Sequence, residues 1–383
     1  MTSVYVHFPW CLAKCPYCDF VSYASERGTI DQSGYADAVI RELDARAQKL
    51  GPRVVESVFF GGGTPSLWDP RELGRVLARV RQRFETTTAE LEVTVECNPT
   101  SLDEDGARAL VDVGVNRVSI GVQSLRDERL KYLGRLHDAR GATRALEGAL
   151  RAGVPRVSGD LIFGTPGHSP EEASREATEL ADVGLAHLSC YQLTIEPGTR
   201  FGELARLGRL PLADDGAVAD AFLAIDEALE ARGLRHYEVS NYARPGEEAR
   251  HNLGYWRGGE YVGLGCAAYG FAMTGDANGV RWRNATLPEA YVAETRTMSG
   301  DPEGESLDGE TLLRERIMLG LRVREGVDLG EAAHELEVEG WTSKRESAAA
   351  WLAERGRIER NGSRVRIPHR AWLWTDDTAA RLF

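Results

Sequence analysis

From the N-terminus to about residue 200, short apolar runs alternate with helix-length amphipathic segments. The runs SVYVHF, VESVFFGG, LEVTVECNP, RVSIGVQS, RVSGDLIFG and HLSCYQL read as buried strands. Between them, GYADAVIRELDARAQKL, PRELGRVLARVRQRF, DEDGARALVDVG, ARGATRALEGALRAG and PEEASREATELADVG repeat apolar positions at helical spacing, several closed by glycine where a C-cap belongs. Strand then helix, six times over, predicts an α/β protein with a parallel sheet. Periodicity leaves two architectures open, a doubly wound sheet and an incomplete barrel. In both, a ligand site gathers at the carboxyl ends of the strands.

Further on the pattern changes. RGGEYVGLGCAAYGF, rich in glycine and aromatics, fits a strand and turn closing the barrel mouth or a flexible loop beside it. Residues 274–309 carry weak periodicity and many Gly, Asp, Glu and Pro residues, which predicts a linker and surface segment between a barrel over 1–273 and a compact unit over 310–383. In that unit ETLLRERIMLGLRV, LGEAAHELEV and KRESAAAWLAERG read as helices, and RIERNGSRVRIP as a hairpin turning at Asn361-Gly362. Helices followed by a hairpin form a winged-helix-like fold, which often binds DNA. The formal net charge of −13 and the lack of a long basic block argue against a nucleic-acid partner and favour a lid or a protein contact. The opening MTSVYVHFPW lacks the charged and apolar regions of a signal peptide, and no apolar run is long enough to span a bilayer, so a cytoplasmic location is expected.

Candidate chemistry starts with Cys11, Cys15 and Cys18, spaced C-x3-C-x2-C just after the first strand. Three thiolates on a four-iron cluster leave one iron open for a small chelating ligand, for which S-adenosylmethionine (SAM) is the commonest occupant at this spacing. A structural zinc site would need a fourth ligand and usually a second knuckle, and no second C-x2-C or H-x3-H pair follows. Cys97, Cys190 and Cys266 are isolated and read as buried thiols. The other candidates sit at strand ends. Gly61-Gly62-Gly63-Thr64-Pro65 follows the second strand, where missing Cβ atoms let backbone approach a ligand. Glu96 ends the third strand, Gln123 the fourth, and Asp160 lies in the fifth, while Arg135 falls on a segment that reads as helical. Each has a plain structural reading: Glu96 or Asp160 as a cap of the next helix, Arg135 as a solvated charge, Tyr17 as a packing aromatic. Together they supply acceptors for an ammonium and ribose hydroxyls and a guanidinium for a carboxylate.

The loop CLAKCPYC and the GGGTP turn resemble the radical-SAM superfamily. The resemblance implies a partial (β/α)6 barrel of TIM type, with a [4Fe-4S] cluster on Cys11, Cys15 and Cys18. Over roughly the first 270 residues the chain is similar to the coproporphyrinogen dehydrogenase branch. In that branch the positions matching Tyr5, Gly62, Gly63, Thr64, Glu96, Gln123, Arg135 and Asp160 bind SAM, and the one matching Tyr17 lies against the adenine. Two details separate subfamilies. The dehydrogenase has a further cysteine where this chain has Phe20, and an N-terminal extension before the cysteine loop that is not seen here. CPYCDF and His251-Asn252-Leu253-Gly254-Tyr255-Trp256 instead resemble the HemW family, which binds haem and hands it to respiratory haem proteins.

That likeness implies haem as cargo and a haem-acceptor protein as partner, with membrane association through that partner left open. It makes His251 the best axial-ligand candidate; its plain reading is a histidine capping a loop beside two packing aromatics. His7, His137, His168, His187, His236, His334 and His369 lack a comparable aromatic cluster and are less attractive, His7 reading as a packing residue near the cysteine loop. No residue is singled out as catalytic. The alternatives are hydrogen abstraction from coproporphyrinogen III propionates by a 5′-deoxyadenosyl radical, and radical chemistry on another substrate.

Overall fold

The computed structural model describes residues 2–86, 90–300 and 304–383. Six strands lie side by side in sequence order, each parallel to the next: β1 (Thr2–Phe8), β2 (Val54–Gly62), β3 (Glu92–Cys97), β4 (Arg117–Gln123), β5 (Arg156–Phe163) and β6 (His187–Gln192). They are buried along most of their length, as continuous apolar runs in a covered parallel sheet must be. Most of the intervening helices start on a side-chain cap. Asp31, Asp103 and Asp138 accept from the amides of Gly34, Gly106 and Gly141, and Ser169 forms a capping box with Glu172.

This order resolves the architecture. A doubly wound sheet reverses its strand order partway, which sends helices to both faces. Here the order never reverses, so right-handed crossovers put every helix on one face. Consecutive helices accordingly pack together, Gln32–Leu50 on Pro70–Arg83 and Pro70–Arg83 on Glu104–Asp112. The free face becomes the lumen of a partial barrel, and the expected (β/α)6 form is found.

Beyond β6 the chain adds β7 (Arg235–Glu238) and β8 (Asn241–Ala243), antiparallel, on that edge. It then crosses to the other edge, where β9 (Glu260–Leu264) pairs parallel with β1. RGGEYVGLGCAAYGF is thus strand, turn and strand, and β9 makes a seventh parallel neighbour. β10 (Tyr269–Gly275), β11 (Asn278–Arg283) and β12 (Glu305–Leu307) extend this edge as antiparallel strands. Within 274–309, read from sequence as a linker, the described chain therefore carries the end of β10, all of β11, helix Pro288–Glu294 and β12. Its short strands and turn residues dilute the period-2 signal. Residues 301–303 of that stretch lie outside the described residues.

The C-terminal unit packs helices Gly309–Gly320, Leu329–Glu335 and Ser343–Glu354 against a three-stranded sheet that includes the hairpin Glu359–Asn361 and Arg364–Arg366, a winged-helix-like arrangement. It has its own apolar cluster around Leu313, Ile317, Leu352, Val365 and Trp372. It joins the barrel at β7: the Val239 amide donates to Arg322 O (2.9 Å), the Arg324 amide to Tyr237 O (3.0 Å), and Arg324 pairs with Glu230 (3.1 Å). Among the described residues, no helix is long and apolar enough to cross a membrane.

Candidate functional site

The carboxyl ends of β1 to β6 form the barrel mouth, and the cysteine loop rises from β1. Backbone bonds close its neck: the Tyr23 amide donates to Pro9 O (2.8 Å) and the Ser25 amide to Cys11 O (2.8 Å). His7 braces it from below, with Nε2 2.9 Å from Val21 O and Nδ1 3.0 Å from the Tyr5 hydroxyl, which fits the packing role expected for this histidine. Cys11, Cys15 and Cys18 are free thiols, all half-buried. Among the described residues the compact three-ligand groups do not include them, so they do not converge on one point as zinc ligands would. Spread thiols on one loop suit a multi-iron cluster. Burial pushes the Cys11 and Cys18 thiols up, and neighbouring cysteines add to it, so a cationic centre is what would hold them as thiolates. Thr64 Oγ1 donates to Cys11 Sγ (3.4 Å) and Arg135 Nη1 to Cys15 Sγ (3.3 Å).

The glycine turn fits flush under this loop. The Gly63 amide donates to Phe8 O (2.7 Å) and the Thr64 amide to Trp10 O (2.8 Å), and a Cβ on Gly63 would sit 2.6 Å from Trp10 O. Gly62, at φ +106°, gives its amide to Glu96 Oε2 (3.1 Å), and a Cβ there would strike the His7 ring at 2.5 Å. The amides of Gly62, Gly63 and Thr64 are thus engaged within the protein, and the missing Cβ atoms of Gly62 and Gly63 allow the turn to approach β1 and the cysteine loop.

Arg135 is not helical. The helix Asp127–Tyr132 ends at Gly134, whose φ of +66° breaks the spiral and places Arg135 in the following loop. From there its guanidinium reaches Cys15 and, through Nη2, Gly121 O (3.2 Å), while Nε has no partner. Gln123 stands beside it in the left-handed region at φ +65°, and its buried Oε1 also lacks a partner. A Cβ on Gly121 would meet Gln123 Nε2 at 2.7 Å and Arg135 Nη2 at 3.4 Å, so the three positions converge. Strained backbone and orphaned polar atoms at one point mark a place built for a ligand.

Deeper in the lumen are Glu96 and Asp160. They are half-buried by exposed surface, yet lie deep among protein atoms. Burial, reinforced by Asp160, pushes the Glu96 carboxyl up to about 8. Burial lifts Asp160 to about 6, against hydroxyl hydrogen bonds that include Ser119 (2.9 Å). Two carboxylates without a cation between them are what a sulfonium or ammonium would satisfy. The sequence reading missed Tyr191, which lies close enough to Asp160 and Glu96 to feel both charges. It is the next-to-last residue of β6, so the strand-end rule that flagged Glu96 would have found it.

Tyr17 lies beside Arg135 and Cys15, with its ring 6.4 Å from Phe201. Tyr5 lies on the lumen side of β1, stacked 6.2 Å from Phe59. His251 is elsewhere. It sits on helix Arg250–Trp256, 1% exposed, beneath Tyr5, with its ring 4.8 Å from Phe59. Nδ1 lies 2.9 Å from Ser57 Oγ and Nε2 3.2 Å from the Tyr255 hydroxyl. Burial holds the ring neutral, at about 3. Neither nitrogen is open to an iron, so the structure does not bring His251 to the mouth with the other candidates. At the mouth itself, Leu12 and Leu136 line a small pocket with Cys15, Thr64 and Arg135. Leu12, Phe20 and Leu136 are 38%, 59% and 61% exposed.

Sequence comparison matches residues 5–179 to the Radical SAM superfamily and residues 307–374 to the HemN C-terminal domain. The chain is 39% identical over 306 residues to the heme chaperone HemW of Escherichia coli, covering 80% of this chain and 79% of the relative. It is 35% identical over 376 residues to heme chaperone HemW of Mycobacterium tuberculosis, covering 98% and 93%. A bovine relative, mitochondrial radical S-adenosyl methionine domain-containing protein 1, is 38% identical over 85% of this chain and 74% of its own length. In fold, the chain is similar over its full length to coproporphyrinogen III oxidase (HemN) from Escherichia coli, at TM-score 0.81, 21% identity and 89% coverage of that chain.

Proposed function

The chain belongs to the HemW family of radical-SAM proteins, and on that premise we propose that it is a haem chaperone, binding haem and delivering it to haem-requiring proteins. The observation that carries the reading is that its likeness to proteins named haem chaperones runs through barrel and C-terminal unit alike. Superfamily membership implies a [4Fe-4S] cluster and SAM, and the mouth residues fit both. Cys11, Cys15 and Cys18 would hold the cluster, which when bound supplies an open iron to the amino and carboxylate groups of SAM. Arg135 would donate to the SAM carboxylate, Gln123 would offer its free oxygen, and Glu96 and Asp160 would balance positive charge and accept from hydroxyls. Tyr17 would flank the adenine, Tyr5 would floor the site, and Gly62, Gly63 and Thr64 would shape its wall.

For haem we favour the rim over His251. Leu12, Phe20 and Leu136 offer an exposed apolar edge beside the cysteine loop, where a flat porphyrin face can be desolvated. Ligation by His251 would require helix Arg250–Trp256 to leave Ser57, Phe59 and Tyr255. The test is an anaerobic optical titration of the cluster-loaded protein with haem, run beside a coproporphyrinogen turnover assay. Saturable haem binding without decarboxylation is expected. Turnover without specific haem binding would overturn the chaperone reading.

A further inference from the structure

Outside the barrel mouth, Asp226, His236 and His369 meet at the seam between the barrel and the C-terminal unit. Asp226 comes from helix Asp215–Glu230, His236 from β7, and His369 opens the short helix His369–Trp374 of the C-terminal unit. One ligating atom of each lies within 4.8 Å of the others. Asp226 Oδ1 is 3.0 Å from His236 Nδ1 and 2.9 Å from His369 Nε2.

The two histidine contacts differ. His369 makes a well-aligned hydrogen bond to the carboxylate. His236, 0% exposed, brings Nδ1 to 3.0 Å from the same oxygen but off the line of a good hydrogen bond. A fully buried imidazole so poorly aligned with its neighbour asks for an explanation. Its ring is also fixed in orientation, stacked 4.1 Å from Tyr242 at an interplanar angle of 12° and held edge-on by Trp372 at 4.3 Å. A nitrogen aimed beside the oxygen is what co-ligands of one ion show, because each lone pair points at the metal.

We propose that Asp226, His236 and His369 form a divalent-metal site of the zinc class, with a fourth position open to water, which fastens the C-terminal unit to the barrel. Two imidazoles and one carboxylate suit a borderline d-block ion, whereas magnesium and calcium take oxygen ligands. Bonds of about 2.0–2.1 Å in a tetrahedral set put ligand atoms roughly 3.3 Å apart, so each imidazole needs to move only a few tenths of an ångström from the carboxylate oxygen, and the two imidazoles already lie within 4.8 Å of each other. His369, with a side chain 36% exposed, provides the entrance. The neighbouring Glu230 gives Oε1 to the His236 amide (3.3 Å) and Arg324 (3.1 Å) and is not needed as a ligand.

The test uses the full chain with its cluster in place, so that the cysteine thiols are committed to iron. Zinc is titrated anaerobically in competition with a chromophoric chelator. One tight site per chain is expected in the wild type and in His334→Ala, which removes an exposed histidine elsewhere. In His369→Ala and in the size-preserving His369→Gln, affinity should fall at least about tenfold, the loss typical of even an outer-shell partner. Zinc should raise the unfolding temperature of the wild type and not of these variants. Equal zinc affinity and stoichiometry in the wild type and the folded His369 variants would overturn the proposal, as would no tight site in the wild type.

Discussion

Replacing Glu96 by Gln should change how SAM affinity responds to pH. In the ligand-free protein burial and the nearby Asp160 push the Glu96 carboxyl up to about 8, so it holds its proton at neutral pH. A cationic ligand needs the ionised form. If SAM binds only when Glu96 is ionised, the competent fraction is about 1% at pH 6, about 9% at pH 7 and about 50% at pH 8, so affinity should rise roughly 50-fold from pH 6 to pH 8. At pH 7 binding should release about 0.9 proton from this carboxyl. Calorimetry in two buffers of different ionisation enthalpy counts that proton. The amine of SAM can release its own proton in both proteins, so the difference between wild type and Glu96→Gln is the quantity to read. Equal proton counts and equal pH dependence in the two proteins would refute the placement of Glu96 at the cation. The sign for folding runs the same way. The folded value lies above the ordinary carboxylate value near 4.3, so the native state holds a proton that the unfolded chain has lost. Ligand-free stability should therefore fall as pH rises between about 4.3 and 8, and the dependence should flatten in Glu96→Gln.

Other outcomes follow from the same geometry. His251→Ala should cost about 2–3 kcal/mol in denaturant unfolding, since it removes a buried, twice-bonded ring, and it should leave haem affinity and spectrum unchanged; an altered haem spectrum would put the histidine back on the iron. Leu136→Asp should weaken haem binding by about tenfold while leaving iron content intact, as expected for a charge placed in an apolar contact. Gly63→Ala should lower cluster incorporation, measured as iron per chain, because the new methyl meets the Trp10 carbonyl at 2.6 Å. Arg135→Ala should keep the cluster and lose about tenfold or more in SAM affinity, the worth of a charge-assisted pair.

The barrel was legible because its signals are local. A continuous apolar run such as SVYVHF and a capped helix such as that begun by Ser169 each declare themselves within a dozen residues. Strand-end positions then drew Glu96, Gln123 and Asp160 to one mouth. What could not be read depends on distant partners. His251 looked available because Ser57, which occupies its Nδ1, lies 194 residues away. Asp226 and His369 are 143 residues apart, so no spacing motif announced them. Arg135 was misplaced on a helix because the leucine and charge pattern runs on past Gly134, whose positive φ ends the spiral. The amides of Gly63 and Thr64 are spent on Phe8 and Trp10, a packing fact invisible in GGGTP itself.

The junction at β7 bears on how the protein must be handled and inherited. β7 is the outermost strand of its edge, and Glu238 forms a bridge with Val323 of the C-terminal unit. An uncovered edge strand offers its unpaired amides and carbonyls to any other chain. The C-terminal unit therefore protects the barrel from self-association, and a gene truncated before residue 309 should yield aggregates in place of a trimmed, working barrel.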